Sequence, residues 1–261
     1  MTDKGRFRSN NEDAFLALAV DAREVLLLGK TGAAPLASSD YVFAVSDGMG
    51  GARSGEFASR MTTDRVTRLL PRSFKQAAGG LASGAEDIMI ELFHAIHADL
   101  LMLGRSYEEC RDMGATLSLC WFTPGCMHFG HVGDSRIYYL PRGGGFMQLT
   151  HDDSHVGWLR RHGQLNEREA RQHPRKSVLT KVLGAGHQFF EPQVGAVLHE
   201  PGDRFLLCSD GVVDGFWDHA IADMLQNRAT AEQFVQGAIS EGSRDNATAV
   251  VVEVLPASSQ I

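Results

Sequence analysis

The chain has 261 residues, 43% hydrophobic and 22% charged, with a formal net charge of −7. That is enough apolar material for one large domain with a substantial core, and no run approaches the roughly 18 consecutive apolar residues of a membrane span. The opening Met-Thr-Asp-Lys-Gly-Arg lacks a signal-peptide core, the absence of a basic block argues against a general nucleic-acid binder, and the four cysteines at 110, 120, 126 and 208 form no CxxC pair, the pattern of free thiols in a reducing cytoplasm.

In chain order, residues 29–39 read as a loop, followed by a buried strand, Tyr41–Ser46, that ends in Ser-Asp-Gly at Asp47-Gly48. Gly29-Lys30-Thr31 imitates the tail of a phosphate-binding P-loop, but position 24, where that motif needs glycine, is Glu. A helix is expected over 54–70, apolar at Phe57, Met61, Val66, Leu69 and Leu70 and stopped by Pro71. A second, over 84–103, opens with a capping box from Ser83 to Glu86, closes at Gly104 and carries a one-sided apolar stripe suited to core packing. Strands over 115–122, 127–132, 135–140 and 146–149 follow, joined by hairpin-length connections and the loop 141–145. A polar helix near 155–163 leads into 164–176, read as a mobile excursion. Strand 204–209 again ends in Ser-Asp-Gly, at Asp210-Gly211, and two short helices near 216–226 and 230–240 precede a strand at 247–254. Antiparallel strands with helices in separate blocks predict a layered α+β domain.

The two Asp-Gly pairs have acidic company in Asn11-Glu12-Asp13, Gly133-Asp134-Ser135-Arg136 and Arg244-Asp245-Asn246. Carboxylates fixed at strand ends, with glycines leaving the backbone open beside them, suit a hard divalent cation such as Mg²⁺ or Mn²⁺. Two such ions can activate a water against a phosphate ester. The plainer alternatives are that each Asp-Gly is a surface turn and that Glu12-Asp13 is a solvated loop. Neighbouring strand residues face opposite ways, so Asp13 is given a supporting role beside Glu12. Arg136 is expected to be structural, pairing with a nearby acid or packing its stem. His151 and His155 have the i, i+4 spacing of a helical metal pair, but no further ligands accompany them for zinc. Gly48–Gly55 could cradle an anion at a helix start, although nucleotide binding there would need a βαβ context that the chain does not show.

Taken together, Arg8-Ser-Asn-Asn-Glu12-Asp13, Ser46-Asp47-Gly48-Met-Gly-Gly51, Gly114-Ala-Thr116, Gly133-Asp134-Ser-Arg136, Leu179-Thr-Lys-Val-Leu-Gly184, Cys208-Ser-Asp210-Gly211 and Arg244-Asp245-Asn246-Ala-Thr248 resemble the PP2C-type (PPM) metal-dependent Ser/Thr protein phosphatases in their compact bacterial form. The resemblance implies a single domain over 1–261 with a four-layer α/β/β/α sandwich, two stacked antiparallel sheets flanked by helices, and a flap at about 155–176. It implies two Mn²⁺ or Mg²⁺ ions and a third, weaker one. Asp47 would bridge the core pair, with the Gly48 carbonyl in the shell; Asp210 and Asp245 would complete one site, and Glu12 would hold the other largely through water. Asp134 would help hold the third ion. Asp13 and Asn246 would support, Arg8 would bind the phosphate, and Arg8, Asp47 and Asp210 are the expected catalytic residues. The implied reaction is attack of a metal-bridging hydroxide on phosphoserine or phosphothreonine proteins, with no covalent phosphoenzyme.

The implied biological setting is opposition to a cognate Ser/Thr protein kinase by a cytoplasmic monomer that engages neither nucleic acid nor membrane. Animal relatives carry histidine after the first Asp-Gly, where this chain has Met49, so the leaving-group proton is expected from a metal-bound water or from His151, His155 or His162. Asp153 stands where histidine is often found, Lys181 where arginine is common and Ala52 where bacterial members often have histidine; these departures bear on substrate contacts more than on chemistry. Arg160, Arg161, Arg168, Arg171, Arg175 and Lys176 make the flap basic, which predicts attraction of acidic phosphopeptides, against the alternative of a solvated helix face. Two other possibilities are a catalytically silent phosphoprotein-binding relative and a phosphatase dedicated to one regulatory partner.

Overall fold

The computed structural model describes residues 1–21, 24–51, 54–78, 84–186 and 190–256. Strands β1 (Thr2–Asp3), β2 (Asp13–Val20), β3 (Val25–Leu27) and β4 (Asp40–Met49) lead into helices α1 (Ser54–Ala78) and α2 (Ala85–Ser106). Five strands follow: β5 (Gly114–Ala115), β6 (Leu117–Thr123), β7 (Cys126–Val132), β8 (Arg136–Leu140) and β9 (Met147–Gln148). Helices α3 (His155–Arg161) and α4 (Glu167–Gln172) lie in the segment expected to be a flap, and β10 (Leu183–Gly184), β11 (Gln193–Leu198) and β12 (Arg204–Cys208) come next. The chain then runs through α5 (Asp210–Gly215), α6 (Asp218–Gln226), α7 (Ala231–Ser240) and β13 (Ala247–Glu253).

The strands assemble into two antiparallel sheets, one five-stranded in the order β1-β13-β12-β8-β9 and one eight-stranded along β10-β5-β4-β6-β7-β11, with β2 and β3 beyond β4. Alternation along each strand divides the apolar residues among three cores. On β4, Val42 and Ala44 face the helices and pack with Val66, Phe93 and Ile96. Tyr41 and Val45 face the other sheet and join Ile137, Phe205 and Leu207. On β12, Leu206 and Cys208 face outward onto Val212, Ile221, Phe234 and Ile239. Helices, sheet, sheet and helices thus form four layers, and β4 and β12 read as unbroken apolar runs because both their faces are covered. Phe205 stacks on Tyr139 at 4.6 Å and meets Phe122 edge-on at 5.1 Å. Such aromatic pairs add about 0.5–1.5 kcal/mol each beyond their area burial.

Several boundaries differ from the sequence expectation. Helix α1 continues past Pro71 to Ala78; a proline removes only one helical hydrogen bond and its fixed φ is itself helical. Helix α2 is capped by Gly84 with no side-chain hydrogen bond, and Ser83 lies outside the described residues, as does Ala52. It also runs past Gly104, where the glycine makes room for the carbonyl oxygens of Cys110 and Arg111 instead of ending the helix. The supposed excursion 164–176 contains α4, closed by a reciprocal cap between Asn166 and Glu169. His151 lies outside α3, whose N-cap is Ser154, so His151 and His155 do not share a helix face. Asp47 lies inside β4, while Asp210 opens α5, a helix absent from the sequence reading.

Candidate active site

The site sits at one end of the sandwich, on the seam between the sheets. β2 and β4 pair with Asp13 opposite Asp47, which puts both carboxylates on the face that looks toward the other sheet. From that other sheet, the Ser209 hydroxyl donates to Asp13 Oδ2 at 2.7 Å and accepts from the Thr248 amide at 3.0 Å. Beyond Asp47 the chain squeezes past the start of α1: the Gly48 amide donates to the Glu12 carbonyl at 3.1 Å, and a Cβ on Gly48 would fall 1.9 Å from the Gly55 carbonyl oxygen. Only glycine fits there. The Glu12 carboxylate lies over Gly55 in the first turn of α1, where the helix dipole favours a negative charge.

Asn246 ties the amino-terminal segment to β13. Its side chain accepts from the Glu12 amide at 2.8 Å and donates to the carbonyls of Lys4 and Asn10 at 2.8 and 2.9 Å. Its neighbour Asp245 receives the guanidinium of Arg8 in an ion pair. Asp134 occupies the turn between β7 and β8, and that turn is anchored from several sides. The Gly133 carbonyl accepts from the Asp153 amide at 2.6 Å and from His131 Nε2 at 3.0 Å. A carbonyl can only accept, so His131 carries its proton on Nε2 and takes the Ser118 hydroxyl, 2.8 Å away, on Nδ1. Burial pushes the His131 pKa down and keeps the ring neutral. Thr116 joins the two acid-bearing elements, accepting from the Asp47 amide at 2.9 Å and contacting the Ser135 hydroxyl at 2.8 Å.

In the sequence Thr116 and Thr248 stand out only as members of motifs, and Ser118, His131, Ser135 and Ser209 carry no expected role. The signal for Ser209 was present: serine precedes both Asp-Gly pairs, and in each case its hydroxyl is buried and hydrogen-bonded.

The acids disturb one another strongly. Burial first, then repulsion from Asp13, Asp210, Asp134 and Asp245, drives the Asp47 carboxyl far above the usual carboxylate range. Asp210 is raised likewise, by burial and then by Asp134 and Asp245. Burial also pushes Asp134 up to about 7 and Asp13 to about 6, the latter moderated by hydrogen bonds from Ser209 and Thr248. Glu12 is raised by burial, with Arg8 opposing. Asp13 Oδ1 and Asp210 Oδ1 are buried without a hydrogen-bond partner. Among the described residues no three His, Cys, Asp or Glu side chains are already gathered closely enough to hold a metal ion. Orphaned carboxylate oxygens in an acid cluster are nevertheless the donor set of a hard, oxygen-preferring divalent cation, which would relieve both the repulsion and the unmet bonds. The residues fit Mn²⁺ or Mg²⁺.

Of these acids, Asp134, Asp210 and Asp245 line a cleft of about 540 Å³, together with Arg8 and with residues of the 155–176 segment. Arg136 underlies it, donating to both Asp152 oxygens at 2.8 and 2.7 Å and to Asp218 at 3.1 Å, the pairing with a nearby acid that its sequence context suggested. The flap is bound to the corner after α5. Arg160 reaches Asp218 at 3.0 Å, Lys176 reaches Asp214 at 3.0 Å, and Glu167 accepts the Asp218 amide at 3.0 Å. Arg171 donates to Glu167, to the Asp214 carbonyl at 3.2 Å and to the Phe216 carbonyl, and lies 4.4 Å from the Trp217 ring centre. Most of the flap's positive charge is therefore spent internally, Arg161 being turned to the Asp152 carbonyl, and Arg168 and Arg175 are left without an ion pair among the described residues. Neither His151, His155 nor His162 lines the cleft.

Comparisons with known proteins give a consistent picture. The family model for protein phosphatase 2C matches residues 31–255. The serine/threonine protein phosphatase PstP of Mycobacterium tuberculosis is 33% identical over 97% of the chain, which spans 44% of the length of that protein. The crystal structure of that phosphatase superposes with a TM-score of 0.78 at 27% identity, covering 98% of this chain and 97% of the other. The serine/threonine phosphatase stp of Listeria monocytogenes is 30% identical, with 97% of this chain and 93% of the relative covered. A PstP catalytic domain in complex with two manganese ions superposes with a TM-score of 0.74 at 26% identity, covering 98% of this chain and 96% of the other.

Proposed function

The chain belongs to the protein phosphatase 2C family, and from that premise we propose that it is a metal-dependent enzyme that removes phosphate from phosphoserine and phosphothreonine in proteins. The observation that carries this reading is the cluster of Asp47, Asp210, Asp134 and Asp13, each raised by burial and by its acidic neighbours, with a buried Asp210 oxygen left unpaired in the cleft that Arg8 lines. Glu12, Asp47, the Gly48 carbonyl, Asp210 and Asp245 are assigned to a pair of Mn²⁺ or Mg²⁺ ions, and Asp134 to a third, weaker one. When bound, such cations supply an acidified water as nucleophile and offset the charge of the phosphate.

The chain's own residues do the rest. Arg8 offers its planar fork to two phosphate oxygens once Asp245 is otherwise engaged, which orients the ester for in-line displacement. Asp47 and Asp210 would act as catalytic residues by holding the metal pair when it is bound. Asp13, fixed by Ser209, and Asn246, fixed by Lys4 and Asn10, keep the acids of the two sheets in register. The absence of the three candidate histidines from the cleft wall favours solvent as the proton donor to the leaving alkoxide.

The reading extends to a single phosphatase domain over 1–261 with its flap at about 155–176, acting as a cytoplasmic monomer against a Ser/Thr protein kinase. No described helix is long and apolar enough to cross a membrane, and all four cysteines are free. The test is hydrolysis of a phosphothreonine peptide by metal-stripped protein, with Mn²⁺ and Mg²⁺ titrated back, beside Asp210→Asn. Activity that returns with metal and collapses in the variant supports the reading. Folded protein inactive at every metal level refutes it.

A further inference from the structure

Among the described residues six cationic side chains line the cleft, and five of them, Arg8, Arg136, Arg160, Arg171 and Lys176, are paired with the protein's own carboxylates. Arg244 differs. Among the described residues it has neither an ion pair nor a hydrogen bond, and its guanidinium carbon stands 5.9 Å from the ring centre of Phe7. Phe7 is 64% exposed and lies outside all three cores, so its ring is not there for core packing. A guanidinium resting on an aromatic face gives that face its π-electron contact while its N–H edges stay free for a planar anion. Arg244 immediately precedes Asp245, the partner of Arg8, so this free fork lies at the rim beside the residue assigned to the phosphate.

We propose that Arg244, supported by Phe7, is a specificity-determining residue that receives a second anionic group of the phosphopeptide, placed next to the phosphoresidue. The inference rests on the phosphatase reading and narrows its substrate class. The chain carries a net charge of −7 and its cleft is lined with acids, so a peptide with an acidic flank is repelled unless a cation is kept free to meet it. One exposed guanidinium–anion pair is worth up to about 1 kcal/mol, or about a two- to fivefold preference. The second anion is either the carboxylate of a neighbouring Glu or Asp or a second phosphate; the two share the planar or tripodal oxygen edge that arginine takes in two hydrogen bonds.

The experiment compares kcat/KM of the Mn²⁺-loaded full chain on three phosphothreonine peptides that differ only in one flanking residue: Gln, Glu or a second phosphothreonine. The expected result is a two- to fivefold preference for an anionic flank that shrinks as salt is raised, and the favoured anion identifies which source is recognised. Because each ratio compares two peptides on one protein, a general loss of activity in a variant cancels. R244Q should bring the ratio to about one, R244E should invert it, and Phe7→Leu should lower it part of the way. A wild-type ratio of one, or an undiminished preference in R244Q, overturns the inference and leaves the phosphatase reading intact. Wild-type protein that hydrolyses neither the peptides nor an aryl phosphate at any Mn²⁺ level overturns the reading, and the inference with it.

Discussion

Arg8 holds Asp245 in an ion pair that spans 237 positions of sequence. The pair joins the residue assigned to the phosphate with one assigned to a cation, so each partner presently occupies the other's functional group. The charge of Arg8 is stabilised by Asp245 first, and by Glu12 and Asp210 at longer range.

Breaking that pair should have opposite effects on metal and on substrate. Arg8→Ala leaves Asp245 free, so Mn²⁺ should bind more tightly by calorimetric titration. The same variant removes a charge-assisted donor to the phosphate, and kcat/KM on an aryl phosphate should fall by about 10²-fold, the scale seen when a single preorganised donor is lost. A drop in both affinity and turnover would show that Arg8 organises the acids instead of competing for one of them.

The acid cluster makes metal binding and stability depend on pH in a definite direction. Asp13 and Asp134 are pushed up to about 6 and about 7, so between their ordinary value of 3.8 and those values the folded state holds protons that the unfolded state releases. Their contribution to the stability of metal-free protein is full at the acid end of this window and is lost as pH rises through the folded values. A bound cation removes that loss. The rise in melting temperature on adding Mn²⁺ should therefore be larger at pH 7.5 than at pH 5.5, measured by calorimetry at fixed ionic strength.

Ser209 is the hinge pin between the two sheets at the site. Ser209→Ala deletes the donor to Asp13 Oδ2 and leaves that carboxyl, whose Oδ1 already lacks a partner, still less satisfied. An unmet buried acceptor costs about 1–3 kcal/mol. The urea midpoint of the metal-free protein should fall accordingly, with its m-value unchanged.

The flap should loosen without the domain unfolding when Arg171 is removed. Arg171 serves the carbonyls of Asp214 and Phe216 and covers Trp217, yet it belongs to none of the three cores. Arg171→Ala should speed proteolytic cleavage within 162–178 and change the Trp217 emission, while the global unfolding midpoint moves little. Equal effects on both would mean that the flap is part of the cooperative core.

The layers and the acids could be read in the sequence because they rest on strong local signals. Buried strands such as Tyr41–Ser46 are continuous apolar runs, and a carboxylate followed by glycine at the end of such a run has few structural uses. Strand β2 is hard to read in the sequence because its alternation relies on alanines at 14, 17 and 19, which carry little apolar contrast. Helix α4 reads as an excursion although Asn166 and Glu169 spell its cap, because the segment is polar and Ala170 is its one buried residue. Internal pairing of the flap's charges could not be read at all, since Asp214 and Asp218 lie 38 and 58 positions from Lys176 and Arg160, which they hold, and become neighbours only through the fold. His131 and Ser118 were hidden for a different reason: they are near in sequence, but their roles exist only in the backbone geometry of the Gly133 turn.

The five-stranded sheet places β13, the last strand, between β1, the first, and β12. During translation, then, the slot between those two strands stays empty until the stretch through Glu253 has left the ribosome, and Asp245 arrives with it. A nascent chain carries Glu12, Asp47, Asp134 and Asp210 long before the piece that draws the two sheets' acids together. The acid cluster is thus a product of long-range closure, and no stretch of chain short of β13 can assemble it.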